Sequence, residues 1–180
     1  MRVIAGTARG RRLVAPEGTG TRPTGDRVRE ATFNALVSLG AVEGAVVLDL
    51  FAGSGALGIE ALSRGAERCT FVDRDRAARH AVSTNLTACG FGAQASVVAG
   101  TAEDHLAALA RAGDVVDLAL LDPPYDFGGW AELFAALPAT LAVVESRDAI
   151  DVPDGWERLR TKRYGRTTVA ILERADLGAR

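Results

Sequence analysis

The chain has 180 residues, of which 48% are apolar and 24% charged, with a net charge of −2. That length suits one domain, residues 1–180, whose core needs no disulfide, and leaves no room for a second core. No apolar run approaches eighteen residues and the amino terminus, Met1-Arg-Val-Ile-Ala-Gly6, lacks the apolar centre of a signal peptide, so neither a membrane span nor export is expected.

In chain order, Arg2–Ala5 and Arg12–Ala15 are short apolar runs around a basic, glycine-bearing loop, the pattern of a hairpin. The stretch Pro16–Gly25 is irregular, and residues 1–25 together read as a basic extension. A helix follows over Arg27–Leu39, with Thr24 or Asp26 as cap and Val28, Ala31, Thr32, Ala35, Leu36 and Leu39 on one face. Val46–Phe51 is a buried strand, with a glycine turn at Gly53 and Gly55 and a helix from Ala56 to Arg64. Strands over Arg68–Asp73, Ala95–Ala99, Asp117–Asp122 and Leu141–Glu145 then alternate with helices over Arg74–Ala88, Glu103–Ala112 and Gly129–Leu137. Such alternation builds a parallel sheet with helices on both faces. Trp156–Tyr164 and Thr167–Glu173 are separated only by Gly165-Arg166, so the sheet finishes with an antiparallel hairpin.

Cys69 and Cys89 are isolated, which fits a reducing cytoplasm better than a redox or metal motif. Charge is unevenly spread. Residues 1–30 carry +4, residues 156–174 another +4, and residues 31–155 carry −10. Basic flanks are the footprint of a polyanionic partner. His80 and His105 fall in helices and read as surface residues, and no residue cluster is spaced for a metal.

Val46-Val-Leu-Asp-Leu-Phe-Ala-Gly-Ser-Gly-Ala-Leu-Gly58 carries the first chemical signal. Gly53-x-Gly55-x-x-Gly58 matches a dinucleotide fingerprint, and Asp73 lies twenty residues beyond Gly53, where a ribose-binding acid belongs. A dehydrogenase is therefore one reading. Asp49 weighs against it, because a carboxylate near the turn suits an ammonium or sulfonium better than a pyrophosphate. Asp49–Gly55 resembles the first motif of S-adenosylmethionine-dependent methyltransferases, and the closing antiparallel hairpin resembles their fold. That places Asp49, Phe51, Ala52, Gly53, Ser54 and Gly55 at the donor, Asp73 on its ribose with Arg74 beside it, and Thr101 and Ala102 where adenine rests.

Asp122-Pro123-Pro124-Tyr125 ends the fourth strand on the same sheet edge. Two prolines remove N–H donors and leave carbonyl acceptors, Asp122 adds another acceptor, and Tyr125 adds a flat face. Such a site accepts both hydrogens of an exocyclic amino group on guanine, adenine or cytosine while the ring stacks, worth about 1–3 kcal/mol. The tetrapeptide is similar to the amino-methyltransferase motif of DNA and RNA enzymes.

Taken with Arg22-Pro-Thr-Gly-Asp-Arg-Val-Arg-Glu-Ala-Thr-Phe-Asn34 and Asp49–Gly65, the chain resembles the bacterial 16S ribosomal RNA guanine-N2 methyltransferase family over nearly its whole length. The resemblance implies a Rossmann-like α/β methyltransferase fold with a mostly parallel seven-stranded sheet. It also implies methyl transfer to a guanine N2 in 16S rRNA, as part of the small subunit or an assembly intermediate, by a cytoplasmic monomer. Arg9, Arg11, Arg12, Arg22, Arg27, Arg29, Lys162, Arg163 and Arg166 are the expected RNA contacts. An amino-directed DNA methyltransferase and a non-catalytic RNA-binding assembly factor are the alternatives.

Overall fold

The computed structural model describes residues 1–16 and 25–175. Helix α1 spans Asp26–Ser38, then β1 Val46–Leu50, α2 Ala56–Ser63, β2 Arg68–Asp73 and α3 Arg76–Cys89. They are followed by β3 Ala95–Ala99, α4 Ala102–Ala112, β4 Val116–Leu121, α5 Trp130–Ala136, β5 Ala139–Ser146, β6 Trp156–Tyr164 and β7 Thr167–Arg174. A single 3-10 turn at Gly92–Gln94, unforeseen in the sequence, leads into β3.

The seven strands form one sheet in the order β3-β2-β1-β4-β5-β7-β6. The first five pair in parallel, and β7 runs antiparallel to both β5 and β6. β6 therefore runs in the direction of β5, and its hairpin turn at Gly165-Arg166 returns to the edge where the parallel strands end.

β1 lies at the centre of the sheet and is covered on both faces, which is why its sequence is almost continuously apolar. Its residues alternate between two cores. Val47 packs with Phe33, Leu36, Ile59, Val82 and Leu120 under α1, α2 and α3. Leu48 and Leu50 pack with Leu106, Phe134, Val144 and Leu172 under α4 and α5. The third glycine of the turn motif serves the first of these cores. A Cβ at Gly58 would sit 2.3 Å from the Phe71 ring and 2.7 Å from the Cys69 sulfur, both buried. Gly58→Ala should cost about 1–3 kcal/mol by overpacking. For a domain of this size that lowers Tm by roughly 3–10 °C in a thermal melt, and an unchanged Tm would show that β2 yields to α2 more readily than the packing implies.

The amino-terminal hairpin contracts to one antiparallel bridge, Arg2 with Arg12. Val3 N–H donates to the Arg11 carbonyl, Gly10 N–H to the Val3 carbonyl and Leu13 N–H to the Met1 carbonyl across it, while amides nearer its turn are held by α2. Ile4 and Ala5 N–H donate to the Glu60 carboxylate at 2.8 and 3.1 Å, and Ala8 N–H donates to Ser63 Oγ at 3.0 Å. Glu60 is wholly buried and also holds Arg64 at 2.7 Å and Arg29 at 3.7 Å.

That arrangement corrects one expected RNA contact. Arg29 is 0% exposed; its guanidinium donates to the Arg2 carbonyl and to Asp26 at 3.1 Å. It is an internal counter-ion tying the arm, α1 and α2 together. The buried stripe of α1 keeps Thr32, Ala35 and Leu36 of the expected face and adds Arg29 and Phe33, while Leu39 at its end is half-exposed. Gly25 occupies the cap position and Asp26 is the first helical residue. Thr24 and Arg22 lie outside the described residues.

Candidate active site

Strand register assembles the site. Leu50 of β1 pairs with Val72 of β2 on one side and with Leu121 of β4 on the other. The next residues, Phe51, Asp73 and Asp122, are therefore neighbours along one sheet edge, the carboxyl edge at which open α/β sheets bind ligands. Asp73 and Asp122, forty-nine positions apart, flank the glycine corner from opposite sides.

The corner is a left-handed chain reversal. Phe51 has φ 62°, and Gly53 and Gly55 have φ 55° and 75°. Only Phe51 carries a side chain through this region, at a cost of order 1–3 kcal/mol, the kind of strain that persists where surrounding structure enforces it. The enforcing contact is its ring, packed edge-on against Phe127 at 5.4 Å. Phe127 in turn meets Trp130 at 5.0 Å. These aromatics join the β1 turn to the loop after Asp122-Pro-Pro-Tyr, so the two expected halves of the site are physically coupled.

Asp73 is oriented by backbone. Gly53 N–H donates to one carboxylate oxygen at 2.8 Å and Asp75 N–H to the other at 2.9 Å. Each oxygen keeps a second lone pair, so the group can still accept from a diol. Asp75 caps α3 through Ala77 N–H, and Arg74 is exposed beside it, its carbonyl accepting from Arg79. Ser54 is fixed from behind, where Asn85 donates to its carbonyl at 2.8 Å and also bonds Val14 of the arm, holding arm and corner together. Thr101 caps α4 by accepting from Asp104 N–H, and Ala102 is buried under it. Their place just after β3 is on the site edge, with the Thr101 hydroxyl already engaged.

Asp49 occupies a different place from an open ligand contact. It is 1% exposed and lies beneath the turn, where it accepts from Gly58 N–H at 2.9 Å. Burial pushes its carboxyl well above the usual range; the Gly58 bond opposes this, and the nearby charges of Asp122 and Asp73 add to the rise. The charges of Asp73 and Asp122 flank the corner, and their field favours a cationic ligand and opposes a pyrophosphate, which weighs against the dinucleotide reading.

A pH dependence follows from Asp49. The neutral form is favoured in the folded state, so its contribution to stability is complete below the ordinary value of 3.8 and is lost as pH rises through the raised folded value. Asp49→Asn keeps an acceptor for Gly58 but cannot ionise. Its Tm should fall less than that of the parent between pH 4 and neutrality, and parallel profiles would contradict the assignment.

Beyond Asp122 the chain opens onto a cleft of about 750 Å³. Pro123, Pro124, Tyr125 and Phe127 line it from the β4 side, and Glu145 and Ser146 at the end of β5 with Arg147 beyond line it from the other. Tyr125 is 48% exposed, with the Arg147 guanidinium 5.4 Å over its ring. Among the described residues no group of three or more His, Cys, Asp or Glu is placed to hold a metal, and no helix is long and apolar enough to cross a membrane.

The basic residues divide. Arg9, Arg11, Arg12 and Arg27 are exposed around the arm and α1. Lys162, Arg163 and Arg166 are exposed at the β6–β7 turn on the site edge, with Arg163 4.0 Å from Asp148.

The family model described as "Conserved hypothetical protein 95" matches residues 1–173. The chain belongs to this family. It is 40% identical to "Putative rRNA methyltransferase YlbH" of Bacillus subtilis over 97% of this chain and 99% of that protein. Ribosomal RNA small subunit methyltransferase D of Escherichia coli K12 is 36% identical over 99% of this chain and 92% of its own. The solved structure of a hypothetical protein from Thermus thermophilus, TTHA0928, matches with TM-score 0.82 and 30% identity, over 96% of this chain and 99% of that one. The fold is the Rossmann-like methyltransferase fold, as the sheet order and the antiparallel β7 indicate.

For this member of the conserved hypothetical protein 95 family, sequence reasoning located the corner, Asp73 and the Asp-Pro-Pro-Tyr segment. It missed Phe127, Asn85 and Glu60, whose contacts are with partners remote in sequence. A cluster of aromatics shortly after Pro124 was the one available signal, pointing to Phe127 and Trp130.

Proposed function

We propose that this protein transfers a methyl group from S-adenosylmethionine to the exocyclic N2 of a guanine in 16S rRNA, presented by the small ribosomal subunit or an assembly intermediate. The observation that carries the reading is the register that sets Asp122 beside Phe51 at one sheet edge. The names of the relatives, which specify ribosomal RNA of the small subunit, give the substrate class.

The residues present fit such a donor. Asp73 retains acceptors for a ribose diol, the Phe51–Gly55 corner leaves room for close backbone approach, and the carboxylates around it favour a positive centre. Thr101 and Ala102 border the position expected for adenine, with Arg74 outside. When bound, the donor supplies an electrophilic methyl on a sulfonium sulfur. The chain's own task is to present the acceptor nitrogen in line, with reacting atoms about 3–3.5 Å apart.

Asp122 and the Pro123 carbonyl accept the two amino hydrogens, drawing the nitrogen lone pair out of conjugation and aiming it at the corner. Tyr125 supplies the stacking face, so the target base must be unstacked before it enters. As the N–C bond would form at the expense of the methyl–sulfur bond, leaving a neutral thioether, the nitrogen would shed a proton, and Asp122 is the acceptor already bonded to it. No step calls for a metal. The protein is proposed to act as a monomer in the cytoplasm, where ribosomes assemble.

Incubation with labelled donor and either small-subunit particles or duplex DNA tests the reading. Label in the particle RNA is expected. Label in the duplex instead would favour a DNA amino-methyltransferase, and donor uptake without transfer to either would favour an assembly factor. Neutralising Arg9, Arg11 and Arg12 together should weaken particle binding and reduce the slope of log affinity against log salt by roughly 2–3. An unchanged slope would remove the arm from the RNA interface.

A further inference from the structure

The acceptor segment alone does not choose among guanine, adenine and cytosine, since all three carry an exocyclic amino group. We propose that Glu145 makes that choice, by accepting a hydrogen bond from the guanine N1–H next to the reacting N2. The inference rests on the methyl-transfer reading above and extends it to base selection.

Glu145 lies at the carboxyl end of β5. Leu121 of β4 pairs with Val144, so Asp122 and Glu145 are the next residues on two adjacent parallel strands, whose backbones run about 4.8 Å apart. Alternation sets them on the same side: Asp122 follows Leu120 by two residues, Glu145 follows Val143 by two, and Leu120 and Val143 share one core. Glu145 is only 4% exposed, yet it lines the cleft with Pro123 and Tyr125. A carboxylate that ends the strand next to Asp122 and lines the same cleft as Pro123 and Tyr125 is placed to meet the edge of a base held by that segment.

The chemistry is selective. Guanine presents two adjacent donors, N2–H and N1–H, to the pair Asp122 and Glu145. Adenine and cytosine present an acceptor lone pair, N1 or N3, beside their amino group. A carboxylate repels that lone pair, and buried polar mismatches of this kind discriminate strongly.

The test uses two reconstituted particles, one with guanine and one with 2-aminopurine at the modified position, competing in one reaction. 2-Aminopurine keeps the N2 amino group but has no hydrogen on N1. The parent should prefer guanine by at least tenfold. Glu145→Gln, whose amide can donate to N1, should lower that preference at least tenfold, and Glu145→Asp should give an intermediate value. Because both substrates meet the same preparation, the ratio is independent of how much of a variant folds. An unmoved ratio in both variants, with transfer to guanine N2 by the parent intact, overturns the role of Glu145 and leaves the methyl-transfer reading standing. So does a complete loss of transfer in both variants. Failure of the parent to methylate guanine N2 overturns both.

Discussion

Asp122→Ala is expected to lower methyl transfer by about 10²- to 10⁴-fold while donor affinity changes by less than about tenfold. The separation arises from position. Asp122 follows β4 and precedes the Pro123–Tyr125 segment that lines the cleft proposed for the base, whereas the proposed donor site is the β1 corner with Asp73 of β2. In the proposed reaction the alanine removes an acceptor that both aligns the amino nitrogen and takes up its proton. Asp122→Asn keeps one oxygen for alignment but is a far weaker proton acceptor, so it should fall between parent and alanine. Its deficit should lie in kcat rather than KM. Single-turnover transfer and a calorimetric donor titration measure the two quantities separately. Turnover of the alanine variant within about threefold of the parent would show that another group does this work.

The largest effect on stability is expected at Glu60. Its carboxylate serves Ile4 N–H, Ala5 N–H, Arg29 and Arg64 with no exposure to solvent. Glu60→Ala leaves the Arg29 charge buried beside a cavity and two arm amides without their acceptor, a loss of about 3–5 kcal/mol. At roughly 2–4 °C per kcal/mol for a domain of this size, Tm should fall by roughly 6–20 °C. The arm should also become cleavable by protease near residues 4–8 before the sheet unfolds. Arg29→Met combined with Glu60→Gln removes the charge but keeps an acceptor for the arm, and should recover most of the loss. A Glu60→Ala melt within about 2 °C of the parent would mean that the arm is not held through α2.

These two sites mark what was readable from residues alone. The sheet was legible because a buried parallel strand leaves a short apolar run and a turn leaves glycine, both local signals. Asp122 and Asp73 were legible because they close such runs. Arg29 was misread because an arginine in a basic run looks the same whether it faces water or a partner; the partner, Glu60, is thirty-one positions away and on another helix. The anchoring of the hairpin was hidden for a related reason: Ile4, Ala5 and Ala8 find their acceptors on α2, while Val3, Gly10 and Leu13 donate across the hairpin itself. The parity of β1 did carry the information that Asp49 points beneath the turn, as Val47 does, but that face becomes meaningful only once α2 is known to cover it. Phe127 carries little local mark, because its contact is with Phe51 of the β1 turn, seventy-six positions away.

The most direct test of the central claim is nucleoside mass spectrometry of 16S rRNA from cells lacking this protein, beside the same cells with the gene restored. One N2-methylguanosine should vanish in its absence and return with the parent gene, but not with Asp122→Ala. An unaltered set of modified guanosines, or the loss of a methyl group from a different base, would contradict the account.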